Sequence, residues 1–281
     1  SPIGRRPSEP GRRPLAGALA VATCAALTVT PVPARAADPH EEAIALAKEE
    51  KRFDLIVTSL HIEDMKAAAF AKLARQAGLD VPIILLAYDN RELADLLLHQ
   101  EASLFDRVFM WQGDFRLLIA IIKTLEDQLN VDHDSRIVGV QSIILIEDNV
   151  RFYSAYLPII YTELMLHTQS LIAEGVNPAH RMLRRRARSK ILLCTTYEEA
   201  WSYFEKYHEN VLGVISDLEF PRGGAKDPEA GVAFIDAVRS WHKDIPILLQ
   251  SDDPAARDFR ERFREYTLHC DAGKGCPLAE R

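Results

Sequence analysis

The chain has 281 residues, room for about two ordinary domains, and its 48% hydrophobic content supports packed cores. Charged residues make up 27% and the formal net charge is −7, which excludes a chain-wide basic footprint for nonspecific nucleic-acid binding. The four cysteines, Cys24, Cys194, Cys270 and Cys276, are scattered and lack a partnering histidine run, so they read as reduced thiols rather than a zinc site.

Residues 1–37 form an ambiguous opening segment. Arg12 and Arg13 precede an apolar stretch, Leu15 to Val29, followed by Ala34-Arg35-Ala36-Ala37. One reading is a secretory signal with a small-residue cleavage site, too short for a membrane span of ~20 residues. The other is an Ala-rich helix and strand of the first domain. The second is expected, because the rest reads as cytoplasmic machinery with no membrane segment.

From residue 38 to 130 apolar strands alternate with helices. Glu41 to Arg52 has helical spacing and good helix formers. "FDLIVTSL", from Phe53, is a buried strand, and Asp64 to Gly78 is a helix stopped by its glycine. Val81 to Asp89 is a strand, "NRELADLLLHQ" a helix, Phe105 to Trp111 a strand and Asp114 to Leu129 an amphipathic helix. This alternation predicts a parallel sheet covered on both faces.

A polar stretch, Asn130 to Arg136, reads as part of a linker over 131–141, and the alternation then restarts over 142–281. "SIILIEDN" (Ser142 to Asn149) is a strand ending in two acids, followed by a long helix from Val150 to about Ala173 that Pro158 is expected to kink unless it falls in the first turns. Strands follow at Lys190 to Thr196, Val211 to Asp217 and Ile245 to Ser251, each leading into a helix, and "TLHC" from Thr267 is a candidate last strand. About 48 residues separate Ser142 from Lys190, roughly twice what a compact unit needs, and the excess carries the basic run His180 to Lys190. That run reads as a solvated helix face paired with acids such as Glu198 and Glu199, the alternative being an anion-binding patch. Trp201, Tyr203 and Phe204 read as packing residues, and His61 and His99 as surface or turn residues. With no helix after the last strand one apolar sheet face would lie open, so a truncated chain or a missing partner is expected. The fold class is α/β, two tandem flavodoxin-like doubly wound parallel-sheet domains.

In open parallel sheets ligands bind beyond the carboxyl ends of the strands, where strand order reverses. The tips of the first and third strands of the second repeat carry Glu147, Asp148 and Asp217. Three carboxylates gathered there would repel one another unless a cation sat between them, and hard oxygen ligands suit Mg²⁺. The backbone carbonyl of Glu219 is a further candidate ligand. A Mg²⁺ beside a carboxylate also suits phosphoryl transfer, with Asp217 as the nucleophile. Ser251, ending the fourth strand, can offer a hydroxyl to a phosphoryl oxygen, and Lys274 an ammonium. The bland alternatives are an ordinary turn or cap role for Asp217, helix capping by Glu147 and Asp148, an N-cap role for Ser251 and an ordinary tail position for Lys274.

The second repeat resembles a response-regulator receiver domain. "ED" at 147–148, D-x-x-x-P at 217–221, the strand-ending Ser251 and Lys274 fall in that family's order. The resemblance implies that Asp217 is the phosphoacceptor, that Glu147 and Asp148 hold Mg²⁺, that Ser251 is the switch hydroxyl and that Lys274 is the phosphate lysine. It also implies a sensor histidine kinase or phosphotransfer protein as partner and a cytoplasmic location. The chain departs from the pattern after Lys274, where "KGCP" replaces a direct proline, and it lacks the aromatic before that lysine. The long first helix and Arg-rich insertion resemble the receiver pairs that precede a phosphoenolpyruvate synthase-like, PEP/pyruvate-binding catalytic region. The first repeat is similar to a receiver without its chemistry: Ser59 stands at the nucleophile position, Ala87 at the switch hydroxyl and Trp111-Gln112 at the lysine. The rival expectations are a scaffold module that is never phosphorylated and a haloacid dehalogenase-type phosphatase, for which "EDN" lacks the needed D-x-D.

Overall fold

The computed structural model describes residues 18–21, 53–62, 65–98, 101–173, 188–251 and 267–269. They form a mixed α/β structure with parallel sheets, divided into two compact units, residues 15–115 and residues 116–281. Among the described residues no helix is long and apolar enough to cross a membrane.

The first unit is built on a four-stranded sheet ordered β1-β2-β3-β4 (Ala18–Val21, Phe53–Ser59, Ile83–Ala87, Arg107–Met110), every pair parallel. Part of the signal-like stretch thus supplies a strand against Phe53–Ser59. Helix α1 (Ala67–Gln76) begins three residues later than its pattern predicts, because Met65–Lys66 first pairs antiparallel with His61–Ile62. It buries Ala67, Phe70, Ala71 and Ala74, a stripe at helical spacing. The third strand stops at Ala87 rather than Asp89, since Asp89 Oδ1 accepts the amides of Arg91 and Glu92 at 2.8 and 2.9 Å and starts α2 (Asn90–Leu98). The Glu41 to Arg52 helix and His99 lie outside the described residues, as does the His61 side chain.

The second unit has α3 (Arg116–His133), β5 (Ser142–Ile146), α4 (Val150–Ala173), β6 (Lys190–Cys194), α5 (Tyr197–Tyr207) and β7 (Val211–Asp217). A hairpin of β8 (Phe220–Arg222) and β9 (Ala225–Asp227) follows, then α6 (Ala230–Trp241), β10 (Ile247–Ser251) and β11 (Thr267–His269). Its five parallel strands are ordered β11-β10-β7-β5-β6, so counting strands from β5 gives 2-1-3-4-5 read from the β6 edge, compatible with a flavodoxin-like fold. Right-handed crossovers moving in opposite directions put α4 on one face and α5 and α6 on the other. Ile144, Ile146, Leu192 and Cys194 meet Phe204 and Phe234 in the core, and Trp201 packs edge-on against Phe234 and Trp241, in the packing role expected of it. Cys194 is buried and in no disulfide, its Sγ donating to the Leu192 carbonyl at 3.5 Å, and the other three cysteines lie outside the described residues.

Two expectations change. Asn130 to Arg136 is not an extended linker: α3 continues to His133 and then through a π-helical turn, Asp134–Val138. Of its polar residues Asn130, Asp134 and Ser135 are buried, while Asp132, His133 and Arg136 keep contact with solvent. Asp127, fully buried, accepts from Tyr161 Oη at 3.0 Å and the Ile191 amide at 2.9 Å, and is gripped on both oxygens by Arg188. Lys190 Nζ lies 2.7 Å from Asp134 and 3.5 Å from Asp127. The second change concerns the basic run: Arg188 and Lys190 pair with these buried acids, not with Glu198 or Glu199. Residues 180–187 lie outside the described residues. Burial pushes the Tyr161 hydroxyl well above its ordinary pKa, with the Asp127 charge adding to it. Burial alone would lower the Arg188 pKa, but Asp127 outweighs it and the net direction is upward.

Breaking such a knot from one side leaves uncompensated buried charge. Asp127→Ala is expected to destabilise the second unit by about 3–5 kcal/mol, read as a lower urea midpoint. An unchanged midpoint would show that the knot contributes nothing net.

Candidate metal site

Strand order fixes where chemistry can sit. The chain leaves β5 toward β6 on one side, then crosses to β7 on the other, so the crevice opens at the carboxyl ends of β5 and β7. Glu147 and Asp148 follow β5, and Asp217 ends β7. One carboxylate oxygen from each lies within 4.8 Å of the others. The structure therefore brings together the three acids that the sequence points to.

Their environments differ. Glu147 is 1% exposed and held in place: its Oε1 accepts the Asn149 amide at 3.0 Å, and its Oε2 accepts Gln250 Nε2 at 3.0 Å. Asp217 Oδ1 accepts the Leu218 amide at 2.7 Å, which turns the carboxylate back over the strand tip. Asp148 has an Oδ1 that is buried without a hydrogen-bond partner among the described residues. Burial raises its pKa and the nearby Glu219 charge adds to the rise, while Lys226 only partly offsets them.

Lys226 was not singled out by the sequence. Gly223 and Gly224, at φ +63° and +83°, make the two-residue turn joining β8 to β9, a conformation that non-glycine residues resist. The turn sends β9 back beside the site, with Lys226 Nζ 3.5 Å from Asp148 Oδ2. Burial would lower the Lys226 pKa, but Asp148, Glu219 and Asp217 outweigh it and hold the ammonium charged above its ordinary range. Pro221, the proline of the D-x-x-x-P spacing, lies on β8 directly opposite Lys226.

Two further residues escaped the sequence reading. Gln250 stands in register with Asp217 and reaches Glu147; a glutamine in the apolar run "IPILLQS" was the available signal. Gly231 opens α6 so close to β7 that a Cβ would sit 2.4 Å from the Asp217 carbonyl. Only a glycine permits that approach, and nothing local in the sequence marks it.

Ser251 closes β10, one residue beyond Gln250 and paired with His269, so it stands at the carboxyl edge with the acids. Glu219 lies in the bend between β7 and β8, where its carboxylate influences Asp148 and Lys226. Lys274 lies outside the described residues. In the first unit, Ser59 and Ala87 end adjacent parallel strands, and Trp111 donates its amide to the Ala87 carbonyl at 2.8 Å. Among the described residues no acid cluster accompanies them.

The three acids fit a small divalent cation. Octahedral Mg²⁺ places ligand oxygens about 3–4.2 Å apart, so oxygens within 4.8 Å need only a small inward adjustment. All three donors are hard oxygens, and the unpartnered Asp148 Oδ1 gains a partner when a cation arrives. The acidic cluster can hold a metal ion. No family model and no curated protein matches the chain.

A raised pKa means that the native state holds the Asp148 proton more tightly than the unfolded chain. The stability this gives is present at low pH and lost as pH climbs from 3.8 through the raised native value. Charged Asp148 therefore opposes folding at neutral pH. Metal-free Asp148→Asn is expected to melt about 2–4 °C higher at pH 7, with the difference vanishing below about pH 4. Mg²⁺ should then stabilise the natural protein more than the variant. A variant less stable at pH 7 would contradict the strain.

Proposed function

We propose that the second unit is a phosphoacceptor receiver module, with Asp217 accepting a phosphoryl group and Glu147, Asp148 and Asp217 holding Mg²⁺. The observation that supports this reading best is the convergence of three carboxylates, one with an unpartnered buried oxygen, at the strand-order reversal. A bound Mg²⁺ supplies positive charge that neutralises the phosphoryl oxygens.

The chain's own residues do the rest. An Asp217 oxygen attacks phosphorus, forming the P–O bond of an aspartyl phosphate, while the bond from phosphorus to the donor breaks and the leaving group departs with its electron pair. Glu147, pinned by Asn149 and Gln250, keeps its place as charge develops. Ser251 offers its hydroxyl to a phosphoryl oxygen, and the Glu219 backbone carbonyl and Lys274 complete the proposed set as metal ligand and phosphate partner. The donor is a sensor histidine kinase or phosphotransfer protein in the cytoplasm, and the new dianion biases a local two-state surface read by an output region. The two units together constitute a tandem receiver pair, the first degenerate. A PEP/pyruvate-binding catalytic region is the proposed output.

Incubation with acetyl phosphate and Mg²⁺, followed by intact-mass analysis, is expected to add one phosphoryl group to the natural chain and none to Asp217→Asn. A variant that takes up the same label would remove Asp217 from this role, and an unlabelled natural chain that also fails to bind Mg²⁺ would favour a scaffold.

A further inference from the structure

We propose that Lys226 is a tethered counter-cation of the acid cluster, holding Asp148 in the metal-free protein and yielding its place to the divalent cation. The inference deepens the reading of the same site and rests on metal binding there. Lys226 Nζ lies 3.5 Å from Asp148 Oδ2, a loose ion pair that leaves Asp148 Oδ1 without a partner among the described residues. Among the described residues the Lys226 ammonium thus meets one oxygen of Asp148, itself one of the three clustered carboxylates.

The lysine is presented, not merely nearby. The Gly223-Gly224 turn fixes the register that sets Lys226 opposite Pro221. The turn is fastened to α5 by the Gly223 amide, which donates to Glu198 Oε1 at 2.8 Å. Arg222, the other cation of the hairpin, stacks on the Tyr197 ring at 4.8 Å and pairs with Asp227 at 3.5 Å. The hairpin therefore sends one basic side chain toward the acids and ties the other elsewhere. Two cations sharing Asp148 repel, so ammonium and divalent ion compete for it. The lysine side chain is half exposed, so it can swing into water when displaced.

The competition has a defined reading. Mn²⁺ binding to the full chain, measured by the electron paramagnetic resonance of free Mn²⁺, is expected to tighten about five- to tenfold in Lys226→Met and similarly in Lys226→Gln. Arg222→Met should change it less than about twofold. Saturating Mg²⁺ should also raise amide exchange of Ala225–Asp227 in the natural chain. Unchanged or weaker Mn²⁺ binding in both lysine variants, with binding by the natural chain intact, would overturn the competition alone. Absence of binding in the natural chain and in every variant would overturn the metal reading and this inference together.

Discussion

Coulomb repulsion at the carboxyl end of the second sheet constrains everything near it. Two unit charges 4.8 Å apart, at an effective dielectric of about 20, repel by roughly 3–4 kcal/mol. Parallel strands leave no choice about the meeting: β5 and β7 are adjacent and run the same way, so acids at their tips share one crevice. The fold absorbs part of the repulsion by giving the acids different surroundings. Glu147 is fixed by two hydrogen bonds, Asp217 is turned by the Leu218 amide, and Asp148 carries the remaining strain.

The opposite end of the same sheet makes the contrast. There Asp127 and Asp134 face Arg188 and Lys190, so negative and positive charges balance within one buried knot. Lys190 is the first residue of β6, and the knot joins that strand to α3 and, through Tyr161, to α4. Balanced, hydrogen-bonded charge there serves register and packing, although an apolar replacement of equal shape can be as stable. At the carboxyl end, among the described residues, the three clustered acids and the nearby Glu219 meet the half-exposed Lys226. Unbalanced charge in a crevice is what a ligand corrects.

The strands were legible because burial on both faces writes a continuous apolar run, as in "SIILI" and "KILLC". The acids at their tips were legible for the same reason, since each interrupts such a run at its end. Asn130 to Arg136 misled because composition shows polarity and not partnership: Lys190, which answers Asp134, lies more than fifty positions away. Arg188 and Lys190 were misread for the matching reason, as members of a basic run rather than as two buried ends. Gly231 was silent because its need comes from the approach of α6 to Asp217, a tertiary fact.

The hairpin after β7 shows how a local pattern can carry a long-range consequence. Gly223 and Gly224 announce a turn, but nothing in "FPRGGAKD" says what the returning strand will face. The answer comes from α5. Thr196 caps that helix by accepting the Glu199 amide, and Glu199 in turn accepts the Thr195 amide. That leaves Glu198, in the first turn, to accept from Gly223, and the bond lowers its pKa. An acid at a helix N-terminus is already favoured by the helix dipole, so the same charge steadies α5 and anchors the turn. The position of Lys226 beside Asp148 is therefore tied to the start of α5 through the Gly223–Glu198 hydrogen bond, the stacking of Arg222 on Tyr197 and two short strands.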